Sequence, residues 1–168
     1  DLLELSEERW QPEAYAFQAP VSPHWAAERE GQCLDPDQLL LPATDGPLVV
    51  ETAGGLMVPL TRQWLQIQQL ERWQLPVVLV ARSELGTLNH TLLSLEALRR
   101  RNIPILGLVI NGLPHADNPR TLHELGKVPL LCELPPLEQL NAAALDRQWQ
   151  VQNVKAKVET EINRLKAS

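Results

Sequence analysis

The feature that most constrains this chain is a set of three short, branched apolar runs that do not alternate with polar residues. They lie at residues 47–51, with Leu48, Val49 and Val50; at 76–81, Pro76-Val77-Val78-Leu79-Val80-Ala81; and at 105–110, Ile105-Leu106-Gly107-Leu108-Val109-Ile110. A strand with one wet face alternates, whereas a strand covered on both faces reads as a continuous apolar run. A fourth, weaker run occupies 128–134. The intervening segments have helical spacing. Residues 61–73 carry Trp64, Leu65, Ile67, Leu70 and Trp73, and residues 90–101 carry Leu92, Leu93, Leu95 and Leu98. Arg99, Arg100 and Arg101 close the second of these, where cations suit the helix dipole. Residues 151–165 repeat Val151, Val154, Val158, Ile162 and Leu165 as a terminal amphipathic helix. Ser22 before Pro23 predicts a helix start, and Gly31 its end. Strands alternating with helices predict an α/β fold, a parallel sheet with helices on both faces. Right-handed crossovers then align the strand C-termini along one edge, where a site belongs.

A length of 168 residues is expected to form one domain. The net charge of −6 argues against a general nucleic-acid or anionic-membrane surface. No apolar run reaches the length of a membrane span, and Asp1-Leu2-Leu3-Glu4 shows no signal-peptide pattern. Cys33 and Cys132 lack metal-ligand spacing and read as two reduced thiols of a cytoplasmic protein. The chain has no Met at position 1 and starts in a polar, helix-like stretch, as a fragment or a processed chain does.

Three segments carry candidate chemistry. Val50-Glu51 runs into Thr52-Ala53-Gly54-Gly55, so a carboxylate at a strand end meets a glycine turn that lets a ligand approach. The same residues also make a plain strand end with a solvated Glu. Arg82 through Thr91 follows a strand and opens a helix, whose free N–H groups suit a carboxylate or phosphate; N-capping by Thr87 is the simpler alternative. His90 in this segment reads as a surface or packed residue. Asn111 closes the third strand beside Gly112, and its amide both donates and accepts, as reading a base edge requires; a turn-forming Asn-Gly is the alternative. Pro135-Pro136-Leu137 could wall an aromatic ligand or form a rigid loop.

In order and spacing, these segments resemble the dethiobiotin synthetases from about Tyr15 to about Leu140. Val50-Glu51-Thr52-Ala53-Gly54-Gly55 is similar to the family's Val-Glu-Gly-Ala-Gly-Gly. Leu85 through Ser94 is similar to its Leu-Gly-x-Ile-Asn-His-Thr-Leu-Leu-Thr. Gly107 through Asn111 matches its strand closing on Asn, and Ser22-Pro23-His24 with Ala26-Ala27 matches an earlier motif. The resemblance implies a three-layer fold like that of P-loop nucleotide hydrolases. It also implies ATP- and Mg2+-dependent ring closure of 7,8-diaminopelargonic acid with CO2, in a homodimer with the site at its interface. By the same resemblance, Glu51 binds magnesium and Gly54 lines the substrate. Leu85, Gly86, Thr87 and Asn89 hold the substrate carboxylate across the subunit boundary. Asn111 reads adenine, with Pro135 and Leu137 as the wall beside it.

The chain also departs from the family pattern. The phosphate loop, Gly-x-x-x-x-Gly-Lys-Thr in outline, has no counterpart; Gly126-Lys127 is followed by Val128 and has no glycine five residues earlier. The family's catalytic lysine and a magnesium-binding aspartate precede the part aligned with Asp1. Thr52 replaces a Gly, and residues 35–47 are too short for the family's helix there. The expectation is therefore the C-terminal two-thirds of a synthetase, with the N-terminal strands missing from the sheet and no turnover by the isolated chain. The alternative is a non-catalytic relative serving as a binding, dimerisation or regulatory module.

Overall fold

Strands β1 (Val77–Arg82), β2 (Ile105–Asn111) and β3 (Leu130–Leu134) form a parallel sheet in the order β1-β2-β3. The computed structural model describes residues 9–167, so the helix-like stretch expected at the very start lies outside the described residues. The described chain divides into two compact units, one within Ser6–Gln74 and the other within Leu75–Ser168.

The second unit holds the sheet. Helix α3 (Thr87–Arg100) connects β1 to β2, and α4 (Asn118–Gly126) connects β2 to β3. Helices α5 (Ala142–Val151) and α6 (Val154–Lys166) follow β3. Leu108, Ile110 and Ala81 pack with Leu95 of α3, Leu122 of α4 and Val128 in one buried cluster. Successive strand residues face opposite ways, so Gly107 and Val109 turn to the other face, where Gly107 meets Leu131 and α6 lies against β2 and β3. Covered in this way, β2 needs no polar alternation. At the edge, β1 does alternate in burial: Val78 and Val80 are exposed while Leu79 packs on the core.

Residues 151–165 do not form one helix. The chain breaks at Gln152 and Asn153, the latter left-handed at φ 53°. Helix α5, which the apolar pattern missed, is capped by Asn141, whose side-chain oxygen accepts from the Ala144 N–H at 2.9 Å. Helix α4 was missed as well; Pro119 stands in its first turn.

In the first unit, α1 (Pro23–Arg29) begins after Ser22 and gives way to Gly31 at φ 65°, as expected. Glu28 and Arg62 form a two-pronged ion pair, with contacts of 2.8 and 2.7 Å, and Arg62 holds the Glu28 carboxyl below its ordinary pKa. Helix α2 is shorter than the spacing predicts, running only from Gln66 to Trp73. The residues before it form a tight antiparallel turn in which Pro59 bridges Leu65 and the Leu60 N–H donates to Trp64 O at 2.8 Å. Ala27, Leu34 and Leu60 make a small core with Tyr15, Phe17, Leu39 and Trp64.

Residues 47–51 are not a strand. They are irregular, and Val49 is 92% exposed. A strand requires a hydrogen-bonded neighbour to satisfy its backbone, and no strand among the described residues pairs with this run.

Candidate functional site

The C-terminal ends of the three strands bring together one group of the expected residues. In the ladder, Asn111 stands between Arg82 of β1 and Leu134 of β3. Its carbonyl accepts from the Ser83 N–H at 3.0 Å, and the Gly112 N–H donates to Leu134 O at 3.0 Å. The ladder therefore reaches the Gly112 N–H, and the chain bends at Gly112, whose φ is 134°. The Asn111 side chain is exposed and has no hydrogen-bond partner among the described residues. Next to Leu134, Pro135 lines a cavity of about 260 Å³ together with Ser83, Gly112, Leu113, Glu133 and Gln148. Leu137 is half-buried in the loop beyond but does not line this cavity.

The second group lies where β1 passes into α3. Gly86 adopts φ 95°, a conformation that favours glycine, and serves as the N-cap without any side-chain bond. Thr87 is the first helical residue rather than the cap. Its N–H donates to Glu84 O at 3.0 Å, and its buried hydroxyl faces that of Thr91 at 3.4 Å. The N–H groups of Leu88 and Asn89 have no acceptor among the described residues, as expected for a first turn. Leu85 and Asn89 are exposed, and a shallow pocket of about 160 Å³ is lined by Arg82, Leu85, Thr87, His90, Thr91 and Ser94. Arg82 and Ser83 carry no motif of their own in the sequence. Their signal is positional, since they are the two residues that follow the apolar run of β1 directly.

Glu51 and Gly54 belong to the first unit. Glu51 is exposed in an irregular segment, so it does not end a strand as expected, because the run before it has no partner strand among the described residues. Thr52 and Gly54 form a small turn: the Gly54 N–H donates to Thr52 O at 3.0 Å, and the Thr52 hydroxyl donates to Gly54 O at 3.2 Å. The side chain of Thr52, where the resembling pattern has Gly, thus closes the turn instead of obstructing it. Gly54 has φ 89°, and a Cβ there would lie 3.0 Å from a Val58 methyl. Among the described residues no cluster of three or more His, Cys, Asp or Glu side chains is arranged to hold a metal ion.

The family described as an AAA domain matches residues 1–144. The ATP-dependent dethiobiotin synthetase of Bradyrhizobium sp. is 50% identical over 145 residues, covering 86% of this chain and 69% of that protein. The chain belongs to the dethiobiotin synthetase family. The dethiobiotin synthetase of Rhodopseudomonas palustris is 52% identical over 141 residues, covering 84% of this chain and 66% of that protein. The biotin biosynthesis bifunctional protein of Bordetella avium is 50% identical over 145 residues, 86% of this chain but 31% of its own length. The chain thus spans about two-thirds of the dethiobiotin synthetases it matches and less than a third of the bifunctional protein. The dethiobiotin synthetase motifs fall in the Thr52–Gly54 turn, at the β1–α3 junction and along β2.

Proposed function

We propose that this chain is a single α/β domain forming the C-terminal two-thirds of a cytoplasmic dethiobiotin synthetase, which closes the cyclic urea of dethiobiotin from 7,8-diaminopelargonic acid, CO2 and MgATP. The observation that carries this reading is the strand edge. There Asn111, whose amide is unengaged among the described residues, stands in the chain between Ile110 and Gly112, which line a cavity walled by Pro135 that Asn111 itself does not line, and the first turn of α3 offers free N–H groups beside Arg82.

In this reading Asn111 takes the base edge of ATP, with Pro135 and Leu137 alongside. Leu85, Gly86, Thr87 and Asn89 hold the substrate's distal carboxylate, because free amides at a helix start favour an anion. Val80 and Leu85 expose apolar surface on the same pocket, which supports a two-fold partner that completes the site. Gly54 leaves room for the substrate. Magnesium neutralises phosphate charge when bound. Glu51 would give it one oxygen where it takes six, so the residues described here hold the ion only together with ligands from elsewhere. Phosphoryl transfer to the substrate carbamate depends on positioning and charge stabilisation. These 168 residues contain no phosphate-loop motif, so the chain's own part is to orient the base and to hold the substrate by its distal carboxylate.

The test is a dethiobiotin assay with MgATP, bicarbonate and diaminopelargonate. It is run on this chain alone and on this chain joined to a family N-terminal segment carrying the phosphate loop. The expectation is no turnover alone, turnover when joined, and a dimer by light scattering. Absence of product from a folded joined protein would favour the non-catalytic alternative. Turnover by the 168 residues alone would contradict the assignment of the phosphate grip to residues outside them.

A further inference from the structure

We propose that the cavity between α4 and α6 is a second small-molecule site, which takes an aliphatic carboxylate with an uncharged body, and that its ligand is the product of the reaction. The identity of that product rests on the reading of the chain as part of a dethiobiotin synthetase; the chemistry of the cavity does not. The cavity holds about 580 Å³, within the range of small-molecule sites. Its floor is Pro129 and Leu130 at the start of β3, whereas the candidate site lies at the strand ends. Helix α4 packs on one face of the sheet through Leu122 and α6 packs on the other, so the two overhang the outer edge of β3 and leave a cleft between them. The cleft stays open because two of the α6 residues that line it, Ala156 and Thr160, are small.

The charges of the lining set the sign of the ligand. Glu161 is committed to Arg164 at 2.5 Å. Arg120 donates from Nε to Glu124 at 2.8 Å, which leaves its terminal Nη groups without a partner among the described residues. Lys157 gives one of its donors to Leu131 O at 3.2 Å and has no carboxylate partner among the described residues. Lys157 is thus the one charge of the lining without a counter-ion there, and a carboxylate would supply it, with Arg120 on the opposite wall. His123 favours what lies behind the carboxylate. Its Nδ1 stands 2.8 Å from Val128 O, and a carbonyl oxygen only accepts, so Nδ1 carries the proton and Nε2 of the neutral ring is left as an acceptor. Pro119, Pro129, Leu130 and Ala156 give apolar surface for a hydrocarbon chain. A cyclic urea offers N–H groups to Nε2 and carries no charge. The diamine it is made from instead brings ammonium groups toward Arg120 and Lys157, with Glu161 already paired. The cavity therefore favours product over substrate, which is the discrimination that feedback by a product requires.

The experiment follows backbone amide NMR shifts of the 168-residue chain during titration with dethiobiotin, its methyl ester, diaminopelargonate and nonanoate. Dethiobiotin is expected to shift the signals of Arg120, His123, Lys157 and Thr160. The ester, which lacks the anion, and diaminopelargonate should bind there about tenfold more weakly, the scale of one hydrogen bond to a charged group. Lys157→Met should weaken dethiobiotin binding about tenfold. Ala156→Leu, which fills the cleft with another good helix former, should abolish its shifts. Neither substitution should alter the diaminopelargonate shifts at Leu88 and Asn89. Equal affinity for acid and ester, or an unchanged affinity in Lys157→Met, would overturn the carboxylate role. Diaminopelargonate binding in the cleft as tightly as dethiobiotin would overturn the selection for product. Nonanoate carries the chain and carboxylate without the urea: shifts from it but not from dethiobiotin would overturn the product assignment, and shifts from neither would overturn the site. Failure of the joined protein to make dethiobiotin is a separate result, which would overturn the functional reading and not the cleft.

Discussion

The side-chain amide of Gln152 pairs with the backbone of Glu133 as a neighbouring strand would: its Oε1 accepts from the Glu133 N–H at 2.8 Å, and its Nε2 donates to Glu133 O at 2.6 Å. Two residues earlier, Lys157 Nζ donates to Leu131 O at 3.2 Å. β3 is the last strand of the sheet, and an unpaired edge is a template for association with another chain. The break between α5 and α6 puts Gln152 where it can occupy that edge. Gln152→Leu is expected to lose about 1–3 kcal/mol, because it leaves two half-buried backbone groups without partners. Urea unfolding should report the loss, and light scattering should show new concentration-dependent association. Gln152→Glu, which keeps only the acceptor, should fall between the two.

Gly107 is required by packing rather than by its backbone angle. A Cβ there would lie 2.5 Å from Leu131 Cγ and within 2.9 Å of both of its methyls, and Leu131 is almost fully buried. Gly107→Ala should therefore cost about 1–3 kcal/mol through overpacking. Combined with Leu131→Ala, the two losses should not add, because the second change makes the room that the first requires. Additive losses in a double-mutant cycle would mean that the two residues do not constrain one another.

What was legible in the sequence follows the same physics. β2 reads as a covered strand because helices press on both of its faces. The Ser22-Pro23 start and the Gly31 end of α1 are written in residues that suit only those positions. Residues 47–51 have the composition of a strand, but pairing is a property of two segments and cannot be read from one. Helix α2 lost its predicted first turn to carbonyls of distant residues: the Gln66 and Ile67 N–H groups donate to Val58 O and Leu56 O, each at 2.8 Å. Helix α5 buries no residue, so it leaves no apolar stripe to find. At the site, Asn111 and the Gly86-Thr87 start were visible as strand and helix ends. Ser83 was not, because neither its burial nor its hydroxyl, unpartnered among the described residues, has a local signature.

The two thiols should separate by reactivity. Cys33 is exposed, while Cys132 is buried on β3 opposite Val109. Burial pushes the Cys132 thiol above its ordinary pKa; Lys157 opposes this, and Glu133 adds to it. The thiolate is the reactive form, so iodoacetamide near neutral pH should label Cys33 in the native chain and label both residues in denaturant. The raised value also sets a sign. The fold favours the protonated thiol, so this contribution to stability is complete below the ordinary thiol pKa. It is lost as pH rises toward the raised value, because the unfolded chain ionises first. Cys132→Ser should flatten that alkaline decline in urea unfolding. Equal labelling of both thiols in the native chain would contradict the burial of Cys132.

Gly86 holds φ 95°, and a side chain there would be strained by about 1–3 kcal/mol whatever space surrounds it. In the first turn that follows, the Leu88 and Asn89 N–H groups have no acceptor among the described residues. If these groups hold the substrate carboxylate, 7,8-diaminopelargonate should shift their NMR signals. Its methyl ester, which keeps the amines and the carbon chain but lacks the anion, should not. Gly86→Ala should weaken binding of the acid and lower stability together, whereas Arg82→Gln should weaken binding of the acid with little change in stability, because Arg82 is exposed and its nearest partner, Glu84, is 4.0 Å away. Equal shifts from acid and ester would remove the anion-holding role from this turn and leave Gly86 as a purely structural residue.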